Sequence, residues 1–301
     1  MLTKLMPHEL MNAIKKLNIA KLTEIRLRVG KPVIVHYGGI YYLSNEGVTD
    51  VLSKSIMTKK NMIDFIISSA CDDSLYAYND EIKNGFLTTT GGIRIGLAGQ
   101  CVNDEKSVKT IKNFSSINIR IPHEVKNCSL KVLEFVTEPH LQNTLIMSPP
   151  GAGKTTLLRD LAFQLSQKCL LNVLVVDERN EIANCVNGIA QFELGVLTDV
   201  MTNCSKQFGL ENGIRSLSPN VVLTDEIANK NDVNSIEFAL SCGVNVIATT
   251  HCSDIYSFKR KKDFEKIVEN SMFERYIVLS SKNGFGTLEG VYDRNFKCLY
   301  V

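Results

Sequence analysis

The chain has 301 residues, 44% of them hydrophobic, and a formal net charge of +2; it is long enough to bury two cores and too nearly neutral to show the footprint of a polyanion-binding protein. Nine cysteines occur with no Cys-x-x-Cys pair and five histidines are scattered, which speaks against a disulfide frame or a zinc site. No apolar run approaches the ~18 residues of a membrane span, and Lys4, His8, Glu9, Lys15 and Lys16 interrupt the N-terminal stretch where a signal peptide would be uniformly apolar.

In chain order, residues 2–22 carry apolar side chains at helical spacing and predict one or two short helices. Residues 24–29 alternate polar and apolar, as a half-buried strand does. Residues 33–37 and 40–44 flank Gly38-Gly39 and predict a hairpin. Thr58 is placed to N-cap a helix that carries Met62, Phe65, Ile66 and Ala70, and a short helix is expected over 76–83. Gly91-Gly92 predicts a bend ahead of strand Ile93-Arg94-Ile95. Residues 116–122 alternate strictly, sending Ile117, Ile119 and Ile121 one way and Asn118 and Arg120 the other. Residues 1–125 thus form an α+β domain; a connecting helix over 130–136, within a linker 126–139, leads to a second domain at 140–301.

That domain opens on the most informative stretch of the chain. An apolar run at 144–147 suits a buried strand, and Pro149, Pro150, Gly151, Ala152 and Gly153 cannot continue it. Leu157, Leu158, Leu161, Ala162 and Leu165 then fall on one helical face. Strand, glycine-rich loop, Lys154-Thr155-Thr156 and helix follow in the order that lets backbone N–H groups at a helix start surround phosphate oxygens, which is the P-loop pattern. Lys154 is placed for the β- and γ-phosphates of ATP and Thr155 for Mg2+. Ser148 stands where the pattern has its first Gly.

Two apolar strands downstream end in carboxylates, residues 173–176 in Asp177-Glu178-Arg179 with Glu181 close behind, and 221–224 in Asp225-Glu226. Acidic residues at the carboxyl ends of buried parallel strands sit beside the ligand crevice of an α/β sheet. The second pair has the Walker B pattern, Asp225 for magnesium and Glu226 for the attacking water, with Glu178 and Glu181 as competitors or helpers. A helix over 208–217 is expected to carry Arg215 toward that strand. Asn231 or Asp232 is expected to cap the next helix, which Gly243 ends. The strand over 244–249 runs into Thr250-His251, where a histidine can sense the γ-phosphate or simply be a satisfied core residue. Lys259-Arg260-Lys261-Lys262 suits a solvated face. Residues 276–280 and 287–292 about Asn283-Gly284 form a hairpin, and 296–301 add a last strand.

The segments SPPGAGKTTLLRDLA, VVDERNEIA, IRSLSPNVVLTDEIANKNDV and ALSCGVNVIATTH, with EIRLRVGKP, GGIRIGLAGQ and KNFSSINIRI ahead of them, resemble the stage III sporulation protein AA family of endospore-forming bacteria. That family is similar to the type II and type IV secretion ATPases. The resemblance implies an α/β fold, with a RecA-like P-loop NTPase domain on a mainly parallel sheet behind a smaller α+β domain. It also implies an ATPase of the mother-cell cytoplasm that self-assembles into a homo-oligomer, a hexamer being the form of the secretion motors, lies peripheral at the forespore-facing membrane, docks on a membrane protein and energises a secretion-like channel. Asp177 to Glu181 would stand at the acidic box, Asp225-Glu226 at Walker B and His251 at the histidine box. Asp225, Ala228 and Asn229 depart from the secretion-motor pattern of Gly before the Glu and Arg-Asp after Glu-Ile. Arg94 and Arg120 would be arginine fingers on a neighbouring subunit's ATP; the pattern alone suits solvated strand arginines. No nucleic-acid partner is expected, although a RecA-like ATPase on single-stranded nucleic acid is the alternative, and a non-hydrolysing nucleotide switch or scaffold is a third.

Overall fold

The computed structural model describes residues 2–89, 91–104, 107–284 and 286–300. The chain divides into two compact units, Met1–His123 and Glu124–Val301.

The first unit runs through helices α1 (Leu2–Leu5) and α2 (His8–Ile14), strands β1 (Leu22–Arg28), β2 (Ile34–Tyr37), β3 (Ile40–Ser44) and β4 (Gly47–Thr49), helices α3 (Lys60–Ala70) and α4 (Asn79–Lys83), and strands β5 (Phe86–Thr88), β6 (Arg94–Asp104) and β7 (Ser107–Arg120). These strands make one antiparallel sheet in the order β4-β3-β2-β1-β7-β6-β5. Ile25, Leu27, Ile95, Ile117 and Ile119 join Met62, Ile63, Ile66 and Ile67 of α3 in its core. Phe65 is 47% exposed, because the buried stripe of α3 is set by Met62, Ile63, Ile66, Ile67 and Ala70. Thr58 is not the cap: α3 begins after Lys59 with no side-chain cap, while the backbone of Thr58 pairs with Lys31 and Gly30. Strand β7 begins nine residues ahead of the predicted one, since 107–115 pairs along β6 although its sequence hardly alternates. Arg94 stands directly opposite Arg120 across β6 and β7, and Arg120 opposite Glu24 of β1.

The second unit contains α5 (Leu130–Thr137), β8 (Thr144–Ser148), α6 (Lys154–Gln167), β9 (Val173–Asp177), β10 (Thr198–Thr202), α7 (Lys206–Leu217), β11 (Val221–Glu226), α8 (Lys230–Ser241), β12 (Asn245–His251), α9 (Ile255–Lys259), α10 (Glu265–Glu269), β13 (Arg275–Ser280), β14 (Thr287–Asp293) and β15 (Cys298–Tyr300). Its sheet has the order β10-β9-β11-β12-β8-β13-β14-β15, parallel from β10 to β13 and antiparallel beyond. The central strands are apolar throughout because both faces are covered. Ile146, Val175, Leu223 and Ile247 meet Leu158, Leu161 and Leu165 of α6 on one face, and Leu145, Val176, Val222 and Val246 meet Leu210 of α7 and Ile236 of α8 on the other. Helix α5 lies in the first of these cores through Val132 and Val136, so it packs within the second unit. Strand β10, which no alternation announces, pairs along β9 at the sheet edge. Helix α8 is capped by Asn229 in a capping box with Asp232, two or three residues before the predicted caps.

This strand order places the carboxyl ends of β9, β11, β12 and β8 side by side. Asp177, Asp225-Glu226, His251 and Ser148 therefore end neighbouring strands, the place where open α/β sheets bind ligands.

Candidate active site

The loop after β8 turns on Gly151 and Gly153, whose φ values of 73° and 95° lie in the left-handed region that a side chain resists. Gly153 is the residue before α6, so the first free N–H groups of that helix face the loop. Lys154 opens the helix and is only 6% exposed. Its ammonium lies 3.1 Å from both the carbonyl and the hydroxyl oxygen of Ser148, 3.2 Å from the Pro149 carbonyl and 2.8 Å from His251 Nδ1. Ser148 in turn donates to the Pro149 carbonyl at 2.7 Å. The serine that replaces glycine thus gives Lys154 an acceptor that glycine would lack.

An ammonium can only donate, so His251 accepts at Nδ1 and its ring proton sits on Nε2. Nε2 is 3.3 Å from Glu226 Oε2, which also meets the Arg179 guanidinium at 3.4 Å. Lys154, His251, Glu226 and Arg179 therefore form one contact chain across β8, β12 and β11 to the end of β9. Burial pushes the Lys154 ammonium down to about 8, against the pull of Glu226.

Asp225 sits at an irregularity of the β11–β12 ladder, where the pairing skips from Thr224 to Glu226. A bulge of this kind re-aims side chains at a strand end. Asp225 is buried, and its Oδ1 lies 3.1 Å from the Lys206 ammonium without hydrogen-bond geometry. Burial pushes its carboxyl up to about 6, although Lys206 pulls it down. Lys206 is 5% exposed and reaches Glu178 Oε2 at 2.7 Å as well. Burial alone would lower its ammonium, but Asp225 and Glu178 raise it above the ordinary lysine value.

The first acidic stretch divides by task. Asp177 is fully buried and accepts from the backbone N–H groups of Glu181, Ile182 and Ala183 at 2.7 to 2.9 Å, which folds the following loop. Arg159 fastens the same loop through the carbonyls of Glu181 and Ile182, with its guanidinium 3.6 Å from the Phe192 ring centre. Glu178 belongs with Lys206 and Asp225, whereas Glu181 is exposed. Thr155 and Thr156 are half-buried in the first turn of α6. Arg215 does not reach the β11 carboxylates; it lies over the Phe238 ring at 5.9 Å. In the first unit, Arg120 is exposed and Arg94 lies 5.8 Å from the Phe86 ring centre.

Lys206 escaped the sequence reading, and Arg179 was named there only as part of the acidic stretch, with no role of its own. One local signal was available for Lys206: a lysine in the first turn of a helix opposes the helix dipole and needs a reason to be there.

The family model for sporulation stage III, protein AA, matches residues 3–299. The chain belongs to the stage III sporulation protein AA family. Stage III sporulation protein AA of Bacillus subtilis (strain 168) is 34% identical over 98% of this chain and 95% of its own length. Among solved structures, the DotB ATPase of Yersinia pseudotuberculosis is similar with a TM-score of 0.63 at 13% identity, covering 96% of this chain and 80% of that one. The pilus retraction motor PilT, solved with ADP, has a TM-score of 0.57 at 17% identity and covers 88% of this chain and 76% of its own. At such identities the likeness is one of fold, and it shows the α/β architecture of secretion ATPases.

Proposed function

We propose that this chain binds ATP on the loop of residues 148–156 and hydrolyses it, with Glu226 as the carboxylate that orients and deprotonates the attacking water. The observation that carries this reading is the chain of contacts from Lys154 through His251 to Glu226 at the ends of adjacent strands. The Lys154 ammonium already lies among oxygen acceptors at the loop mouth, so phosphate oxygens replace partners of the same kind. His251 links that lysine to Glu226, and a change of partner at Nδ1 is felt at Nε2. Glu226 is favoured over Glu178 because its two contacts are 3.3 and 3.4 Å, whereas Glu178 is held by Lys206 at 2.7 Å.

Thr155 and Asp225 are the residues that would hold magnesium. The fit rests on Asp225 Oδ1, a buried acceptor without a hydrogen bond that already stands in a cation's field. When bound, magnesium would neutralise charge on the β- and γ-phosphates.

Steady-state phosphate release tests the reading. Glu226→Gln keeps shape and hydrogen bonding, so ATP should still bind while turnover falls by about two orders of magnitude. Parental turnover in Glu226→Gln would remove this assignment, and an inactive Glu178→Gln or Glu181→Gln beside it would move the base to the first acidic strand.

The work of hydrolysis would energise a secretion-like channel around the forespore. In this reading the chain assembles with copies of itself, in the mother-cell cytoplasm, and docks on a membrane protein of that channel. Family membership and the fold shared with DotB and PilT support it. The basic run at 259–262 offers little to nucleic acid: Lys259 lies over the Phe296 ring at 3.9 Å and Lys261 donates to the His251 carbonyl at 2.6 Å.

A further inference from the structure

We infer that Lys206 is a positioning residue of this site: its buried ammonium ties Glu178 of one strand end to Asp225 of the next. The inference rests on the hydrolytic reading of the site and adds to it a residue outside the loop and both acidic motifs.

Three observations converge. The ammonium is 2.7 Å from Glu178 and 3.1 Å from Asp225, so one buried nitrogen serves two carboxylates that would otherwise repel each other. Its hold on the two differs in kind. Glu178 receives a hydrogen bond at 2.7 Å, whereas Asp225 Oδ1 meets the ammonium as an ion pair at 3.1 Å.

The helix that carries Lys206 is also built to bring it there. Lys206, Gly209 and Gly213 stand three and seven residues along α7, which puts them on one face. A Cβ at Gly209 would lie 2.5 Å from Val176 Cγ1, and one at Gly213 would lie 2.5 Å from Leu174 Cδ2, both on β9. The glycines therefore let the helix backbone press onto the strand that leads to Glu178. Ser205 pins the first turn by accepting from the Phe208 N–H at 3.3 Å. The lysine stem then runs along the sheet and its end spans β9 and β11, whose carboxyl ends are adjacent.

Lys206→Met keeps the stem and removes the charge. In ATPase assays it should lower kcat about tenfold or more while the KM for ATP changes by less than about threefold, and Lys206→Arg should recover part of the loss. A second readout needs no nucleotide. With the built-in cation gone, Asp225 and Glu178 face each other unneutralised, so Lys206→Met should bind Mn2+ in an electron paramagnetic resonance titration where the parent does not, and adding Asp225→Asn should abolish that binding. Unchanged kcat together with unchanged Mn2+ binding would overturn the inference. Should Lys206→Met fail to fold, Lys206→Met with Glu178→Gln removes one charge of each sign; turnover below that of Glu178→Gln alone supports positioning, and turnover equal to that of Glu178→Gln overturns it. Lys154→Ala is the control for the underlying reading. Parental turnover in that variant would sink hydrolysis on this loop, whereas the nucleotide-free Mn2+ titration would still judge Lys206.

Discussion

Lys154 concentrates the competing forces of the site in one side chain. Burial disfavours its charge and pushes the ammonium from 10.5 down to about 8, while four oxygen and nitrogen acceptors and the nearby Glu226 hold it. The folded value lies below the unfolded one. At pH values above about 8 the folded chain has released a proton that the unfolded chain still binds, so stability rises with pH until about 10.5 and is flat beyond. Lys154→Met removes this titration. The stability of the parent relative to Lys154→Met, from urea midpoints without nucleotide, should therefore increase between about pH 7 and about pH 10.5, by about 1–3 kcal/mol. A difference independent of pH would mean that the lysine titrates as if exposed.

At the scale of elements, helix α7 shows how a small residue can set a large distance. Glycine in a helix interior costs about 1 kcal/mol relative to alanine, so Gly209→Ala would stabilise an isolated helix. Here the added methyl meets Val176 Cγ1 at 2.5 Å, on a β-branched side chain with little freedom to turn away. Gly209→Ala should therefore destabilise the protein by about 1–3 kcal/mol as a net effect, measured as a lower urea midpoint at unchanged slope. Gly213→Ala should cost less, because it meets the terminal Cδ2 of Leu174, which has a rotamer to give. Equal or higher midpoints for both variants would show that α7 is free to ride up. The capping of α8 has the same local logic. Asn229 and Asp232 satisfy each other's backbone N–H groups, and the preference for Asn at a cap was legible although its position was read two or three residues late.

For the whole molecule, the unassigned part is the first unit. Arg94 and Arg120 face each other across β6 and β7, and like charges directly opposite are destabilising in a sheet. Glu24 opposite Arg120 and the Phe86 ring near Arg94 offset part of that cost. We propose that the pair serves ATP bound by a neighbouring copy, where an arginine neutralises charge on the transferring phosphoryl group and is worth about a thousandfold or more in rate. Mixing Lys154→Ala chains with Arg94→Ala, Arg120→Ala chains, each inactive alone, should restore part of the phosphate release, because some mixed interfaces join an intact loop to intact arginines. Full activity of either arginine variant alone, or of a protein that light scattering finds monomeric at all concentrations, would exclude a trans-acting pair. Among the described residues no helix is long and apolar enough to cross a membrane.

The sequence by itself determined those features whose signal is local. The apolar run, the left-handed glycines and the helical repeat after Lys154 lie within a few turns of chain, and backbone sterics leave few structures open to them. Runs such as 173–176 and 221–224 announced strands covered on both faces, and their terminal carboxylates announced the rim of the sheet. Tertiary structure alone decided which of these ends meet. Lys154 and His251 are 97 residues apart, and Lys206 and Glu178 are 28 apart; their contacts exist because β8 lies next to β12 and α7 is pressed on β9. Strand β10 likewise owes its existence to pairing with β9, since an edge strand half open to solvent carries no strong pattern of its own. Short-range preferences choose the elements, whereas strand order and the closeness of packing choose the partners of each charge.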